Sequence, residues 1–138
     1  MQTFLPYPNF QQSAKVLDRQ RLGKQRVEAY QILRTLTGES NGWKNHPAVK
    51  MWVGYEAALA TYALEMCNEW KLRGYNDTLT EKITEILNKI NKPVVRPYWS
   101  FDDDFNASHR SNLLRKNSEW YSQFGWTESD NLPYVWPR

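Results

Sequence analysis

The stretch LDRQRLGKQRVEAYQIL, residues 17–33, sits inside the segment that decides the fold. Leu22, Ala29, Leu33 and Leu36 recur at spacings of seven, four and three, which is the apolar stripe of an amphipathic helix. Extended outward, the pattern predicts one helix from about Gln11 to Leu36, stopped by Thr37-Gly38. MQTFLPYPN before it is an extended lead-in, because two prolines and an asparagine oppose regular structure. After the loop NGWKNHP, the run AVKMWVGYEAALATYALEMCNEWKLRG predicts a second long helix, with Met51, Tyr55, Ala58, Tyr62 and Met66 in register and Gly74 as its stop. TLTEKITEILNKINKP predicts a third, shorter helix capped at Thr80 and closed before Pro93. VVRPYWSFDDDFNAS reads as irregular. SHRSNLLRKNSEWYSQFG reads as a final helix opened by Ser108, followed by the aromatic tail WTESDNLPYVWPR. The expected fold is all-α: a single compact domain over residues 1–138, with three to four main helices.

Composition agrees with one domain, since 138 residues with 41% hydrophobic content supply one core and not two. The net charge of +3 permits a polyanionic partner without requiring one. Its distribution is more telling. Between Lys15 and Glu28, Lys15, Arg19, Arg21, Lys24 and Arg26 face only Asp18 and Glu28, so this segment carries the whole excess and the rest of the chain balances. A single cysteine, Cys67, excludes an internal disulfide and fits a reducing compartment, so a cytoplasmic location is expected. No run approaches the roughly 18 apolar residues of a membrane span, and no membrane partner is expected.

At about 100° per residue, Leu17, Arg21, Lys24 and Glu28 fall in one narrow sector of the first helix. The plain reading of Lys24 and Glu28 is an exposed i,i+4 ion pair, the commonest fate of such spacing. Arg19 and Arg26 widen the positive surface on neighbouring sectors, however, and leave Glu28 as a lone carboxylate among cations, suited to act as a base or electrostatic stabiliser. A second basic group lies in SHRSNLLRK, where His109, Arg110, Arg115 and Lys116 mix with Ser111 and Asn112, side chains that commonly bond phosphate oxygens. Its plain reading is a polar helix start. Next to it, Trp120 and Tyr121 belong to an aromatic surplus of seven Trp and eight Tyr. Most of these rings should be core, and a few exposed beside cations would suit stacking on bases.

Other chemistry has little support. His46, His109 and Cys67 are too few for a zinc site, and Asp102, Asp103 and Asp104 look like a loop or cap cluster, so no metal is expected. There is no phosphate-cradling glycine loop or dinucleotide fingerprint, and no cofactor is expected.

Three stretches carry a family resemblance. LDRQRLGKQRVEAY resembles the long early helix of the pyrimidine-dimer DNA glycosylases of the phage endonuclease V type, in which a basic run leads to the essential glutamate, here Glu28. NHPAVKMWVGYEAALATYALEMCNEWKLRGYN ends in a segment similar to that family's second-helix terminus, and WYSQFG resembles its aromatic C-terminal motif. The resemblance implies an all-α domain, expected to be a monomer, that binds duplex DNA, turns a base out and attacks the sugar C1′ with the chain's α-amine. An α-amine, with an ordinary pKa of roughly 7.7–8.0, is partly neutral and nucleophilic near neutral pH. Strand cleavage by β-elimination then follows from the imine without a cofactor. In the family the initiator methionine is removed to expose a small residue, whereas Gln2 is bulky and opposes removal, and the segment before Glu28 is longer. The nucleophile is therefore the amine of Met1 or of Gln2, with Lys24 as a rival; without any of them, Glu28 would activate water in a monofunctional glycosylase. A module that binds DNA or RNA without chemistry is the remaining class.

Overall fold

The computed structural model describes residues 1–137, and among them every regular element is helical. The chain runs α1 (Phe10–Val16), α2 (Arg19–Leu36), α3 (Pro47–Lys50), α4 (Glu56–Leu72), α5 (Thr80–Lys89), α6 (Asp103–Lys116) and α7 (Ser118–Tyr121), with short 3-10 turns at Tyr98–Phe101 and Ser122–Phe124. α4 is the hub, packing against α2, α1 and α5. Its alanines at 57, 58, 60 and 63 are buried and let neighbouring helices approach closely. Beside α2, Gly23 performs the same service: a Cβ there would sit 3.1 Å from the Trp70 ring.

The first predicted helix is two. Leu17 and Asp18 are extended (ψ 137° and 161°), so the chain bends between α1 and α2. The cause is tertiary. Leu17 is fully buried, and the Tyr121 hydroxyl accepts from the Asp18 N–H at 3.0 Å while donating to its carboxylate at 2.5 Å. The second predicted helix also divides: α3 is one turn, Gly54 takes φ +86°, and α4 starts only at Glu56. That break turns Trp52 inward, where its ring meets Trp99 at 4.9 Å and its indole N–H donates to Thr3 Oγ1 at 3.0 Å.

α5 begins at Thr80, but the Asp77 carboxylate accepts its N–H at 2.8 Å in place of a cap at Thr80 itself. The last long helix starts at Asp103 and not at Ser108, because Asp102 caps it by accepting from Asp104 N at 3.0 Å. Asp103 and Asp104 then lie in its first turn, the favourable end of the helix dipole for acids. The extended lead-in is present and is core, not surface: Gln2 to Pro6 are buried and thread between α2, α4 and α6.

Candidate active site

The buried lead-in is held by one side chain of α2. Gln25 donates from Nε2 to the Gln2 carbonyl at 2.9 Å and to Glu28 Oε2 at 3.3 Å, and its Oε1 accepts from the Phe4 N–H at 2.9 Å and the Tyr62 hydroxyl at 2.7 Å. Burial, with Glu28 adding to it, pushes the Tyr62 phenol well above its ordinary range, so it stays a neutral donor. From the other side, His109 Nδ1 accepts from Leu5 N at 2.9 Å and Asn106 Nδ2 donates to Leu5 O at 2.8 Å. The outcome of this clamp is that Gln2 N lies 3.3 Å from Glu28 Oε2. Both bonds to the Glu28 carboxylate fall on Oε2, and Oε1 has no partner among the described residues.

Lys24 and Glu28 form a ridge between two hollows. The smaller, about 280 Å³, brings together Met1, Gln2, Arg21, Lys24, Glu28 and Lys116 from three separate parts of the chain, with Tyr134 as an aromatic wall. The larger, about 950 Å³, runs past Arg19, Gly23 and Val27 to Trp70, Asn117 and Trp120. Arg21 is also paired with Asp18 at 3.1 Å, and Arg19 lies over the Tyr75 ring. Arg19, Arg21 and Lys24 of α2 and Lys116 of α6 therefore line the hollows on either side of Glu28.

Other predicted contacts lie inside the protein. Arg26 pairs with the buried Asp77 carboxylate and stacks over Trp70. Beside that pair, burial and Asp77 push the Cys67 thiol up to about 12, which makes it an inert core thiol. Arg110 is 13% exposed, paired with Glu128 at 2.9 Å and donating to Pro6 O at 2.8 Å. Ser111 accepts from Leu132 N, and Asn112 donates to Ser108 O and Leu132 O. Arg115 is exposed, yet it donates to Asp130 O and to Asn112 Oδ1. Tyr121 is fully buried, whereas Trp120 reaches the larger hollow. The polar face of α6 thus seats the C-terminal tail, delivering Tyr134 to Glu28's hollow and Trp136 to His46 at 6.2 Å.

His109 is likewise structural. Burial pushes its imidazole down to about 3, and Nε2 has no partner among the described residues. Because an unfolded histidine titrates near 6.5, stability is full above that pH and falls as pH drops from about 6.5 toward 3. Only the unfolded chain takes up the proton in that window. Urea unfolding should lose about 2 kcal/mol between pH 7 and pH 5 from this residue, and His109→Asn should remove that slope. An unchanged slope would place the titration elsewhere.

Gln25, His46 and Tyr134 are site residues that sequence reasoning missed. Glutamine carries no charge signature, and Tyr134 is brought in only by the tail. His46 is lowered mainly by burial, then by the positive charge at the Met1 amine, and is raised in part by Glu28.

The family model described as pyrimidine dimer DNA glycosylase matches residues 1–82, more than half of the chain, and that span holds α1 to α4, the lead-in with Gln25, and Glu28. The chain belongs to the pyrimidine dimer DNA glycosylase family. No curated protein and no solved structure matches it significantly. Family membership makes it a DNA repair glycosylase, an enzyme whose substrate is DNA. Among the described residues there is no cluster of metal-ligating side chains, and no helix is long and apolar enough to cross a membrane.

Proposed function

We propose that this glycosylase excises a damaged pyrimidine, a cyclobutane dimer first of all, and cuts the strand with an associated AP lyase activity. The observation that carries the reading is the 3.3 Å approach of the second residue's backbone nitrogen to Glu28, in a hollow rimmed by Arg21, Lys24 and Lys116. A terminal amine there, that of Met1 or of Gln2 after its removal, attacks C1′ with its lone pair. The C1′–N bond breaks, and the base departs with the electron pair and takes a proton. Glu28 takes the proton that the amine sheds on attack and passes it to the ring oxygen as the sugar opens, which leaves an imine that acidifies C2′. Glu28 then accepts the C2′ proton, the C3′–O bond breaks, and the phosphate leaves; water then frees the amine. Arg19, Lys24, Arg115 and Lys116 are exposed cations available to phosphates, and Arg21 reaches the hollow from its pair with Asp18, while the internal pairing of Arg26 and Arg110 argues against a DNA role for them. Lys24 has a second claim as nucleophile, because it lines both hollows beside Glu28.

Borohydride trapping tests the step directly. Incubation with a duplex bearing a cyclobutane dimer or an abasic site should give a stable protein–DNA adduct, and peptide mapping should place it on the N-terminal residue, with Lys24 second. An adduct on another lysine keeps the chemistry and moves the nucleophile. No adduct, with DNA binding intact, removes the lyase step and leaves a water-using glycosylase or a binding module.

A further inference from the structure

The loop between α2 and α3 contains a residue with two unfavourable features. Trp43 takes φ +62° and is the one non-glycine residue among those described with positive φ, a region where a bulky side chain is an outlier. It is also 61% exposed, so its ring gains little from burial. The loop that carries it is held firmly. Thr35 Oγ1 donates to Gly42 O at 2.7 Å, His46 N donates to Trp43 O at 2.8 Å, and the His46 ring stands edge-on to the indole at 6.1 Å. From His46 the aromatic contacts continue through Trp136 to Tyr134, the wall of the hollow that holds Glu28.

Position strengthens the case. Thr35 follows Glu28 by seven residues, so both lie in one sector of α2 about 10 Å apart along the axis. That is about three base steps at 3.4 Å per nucleotide. Lys44, next to Trp43 in the chain, and Lys50, at the end of α3, are exposed and form no ion pair among the described residues. Thr35 thus ties the loop that carries Trp43 to Glu28's sector of α2, and the ring contacts through His46 and Trp136 link the indole to the wall of Glu28's hollow.

We propose that Trp43 enters the duplex beside the lesion and stacks in the space left when a nucleotide turns out of the helix. This inference rests on the glycosylase reading above. Stacking on neighbouring bases recovers what the extruded nucleotide loses and what the loop spends holding an exposed, strained ring outward.

The test compares Trp43→Gly and Trp43→Phe with the parent protein in single-turnover reactions on two duplexes of one sequence, one with a cyclobutane dimer and one with a preformed abasic site. Glycine suits the backbone at this φ, so Trp43→Gly should unfold at the same or a higher temperature. Its rate on the dimer duplex should nevertheless fall about tenfold or more, the size of a lost base–aromatic stack, while Trp43→Phe retains most of it. On the abasic duplex, with no base to extrude, the change should stay within about threefold. Equal losses on the two duplexes, full dimer activity in Trp43→Gly, or a lowered unfolding temperature for that variant would each overturn the stacking role and leave the glycosylase reading standing. A parent protein inactive on the dimer duplex would remove that reading, and the stacking role with it.

Discussion

Glu28→Gln should fold as the parent does, bind duplex DNA as well or better, and fail to process a cyclobutane dimer. Glutamine has the same shape and keeps an oxygen to accept from Gln2 N and Gln25 Nε2, so the clamp survives. What it lacks is the proton-accepting carboxylate, and groups of that kind contribute on the order of 10²–10⁴ in rate. Affinity should not suffer, because removing a negative charge from a face lined by Arg21, Lys24 and Lys116 favours phosphates. Borohydride trapping should disappear with the dimer duplex yet persist in part on a preformed abasic site, where base loss is already complete. Single-turnover cutting and a filter-binding titration measure the two quantities separately. Dimer cutting within tenfold of the parent would mean that Glu28 is not the proton acceptor.

Gln25→Leu should damage stability and turnover together, and in a pattern that separates them. The substitution leaves the Phe4 N–H and the Gln2 carbonyl buried without their partner, at roughly 1–3 kcal/mol each. It also frees the lead-in from the register that puts Gln2 N beside Glu28, and a displacement of an ångström at a reacting group costs about 100-fold. At a temperature where circular dichroism shows the variant folded, turnover on the abasic duplex should drop by that order while duplex affinity stays near the parent's, because no exposed cation is touched. Full turnover in the folded variant would mean that Asn106, His109 and Tyr62 set the register of the lead-in without Gln25.

Much of this was legible from the chain alone where the signal is local. The apolar stripe of α2, the stop at Gly38, the long run of α4 and the proline after α5 all rest on residues within a few positions of one another, and the helices are found there. The cationic sector of Arg21, Lys24 and Glu28 follows from helical geometry alone, and the structure keeps these residues on one hollow. The boundaries that failed have distant causes. Nothing near Leu17 announces a bend, because the hydroxyl that holds Asp18 belongs to Tyr121, 103 residues away.

The sequence by itself determined an all-helical chain, a basic early helix with one embedded glutamate, and a surplus of rings for core and surface. Those properties are periodic or compositional and need no partner from elsewhere. Only the tertiary structure decided which polar residues face outward. Ser111, Asn112 and Arg110 look like phosphate ligands in a linear reading, but they hold the tail and the lead-in because the part-buried backbone groups of Pro6 and Leu132 need partners there. The same need made Gln25 a clamp and drew the N-terminal segment into the core. A buried carbonyl or N–H must be paired wherever the fold leaves it, and neither that place nor the side chain that reaches it can be read from sequence spacing.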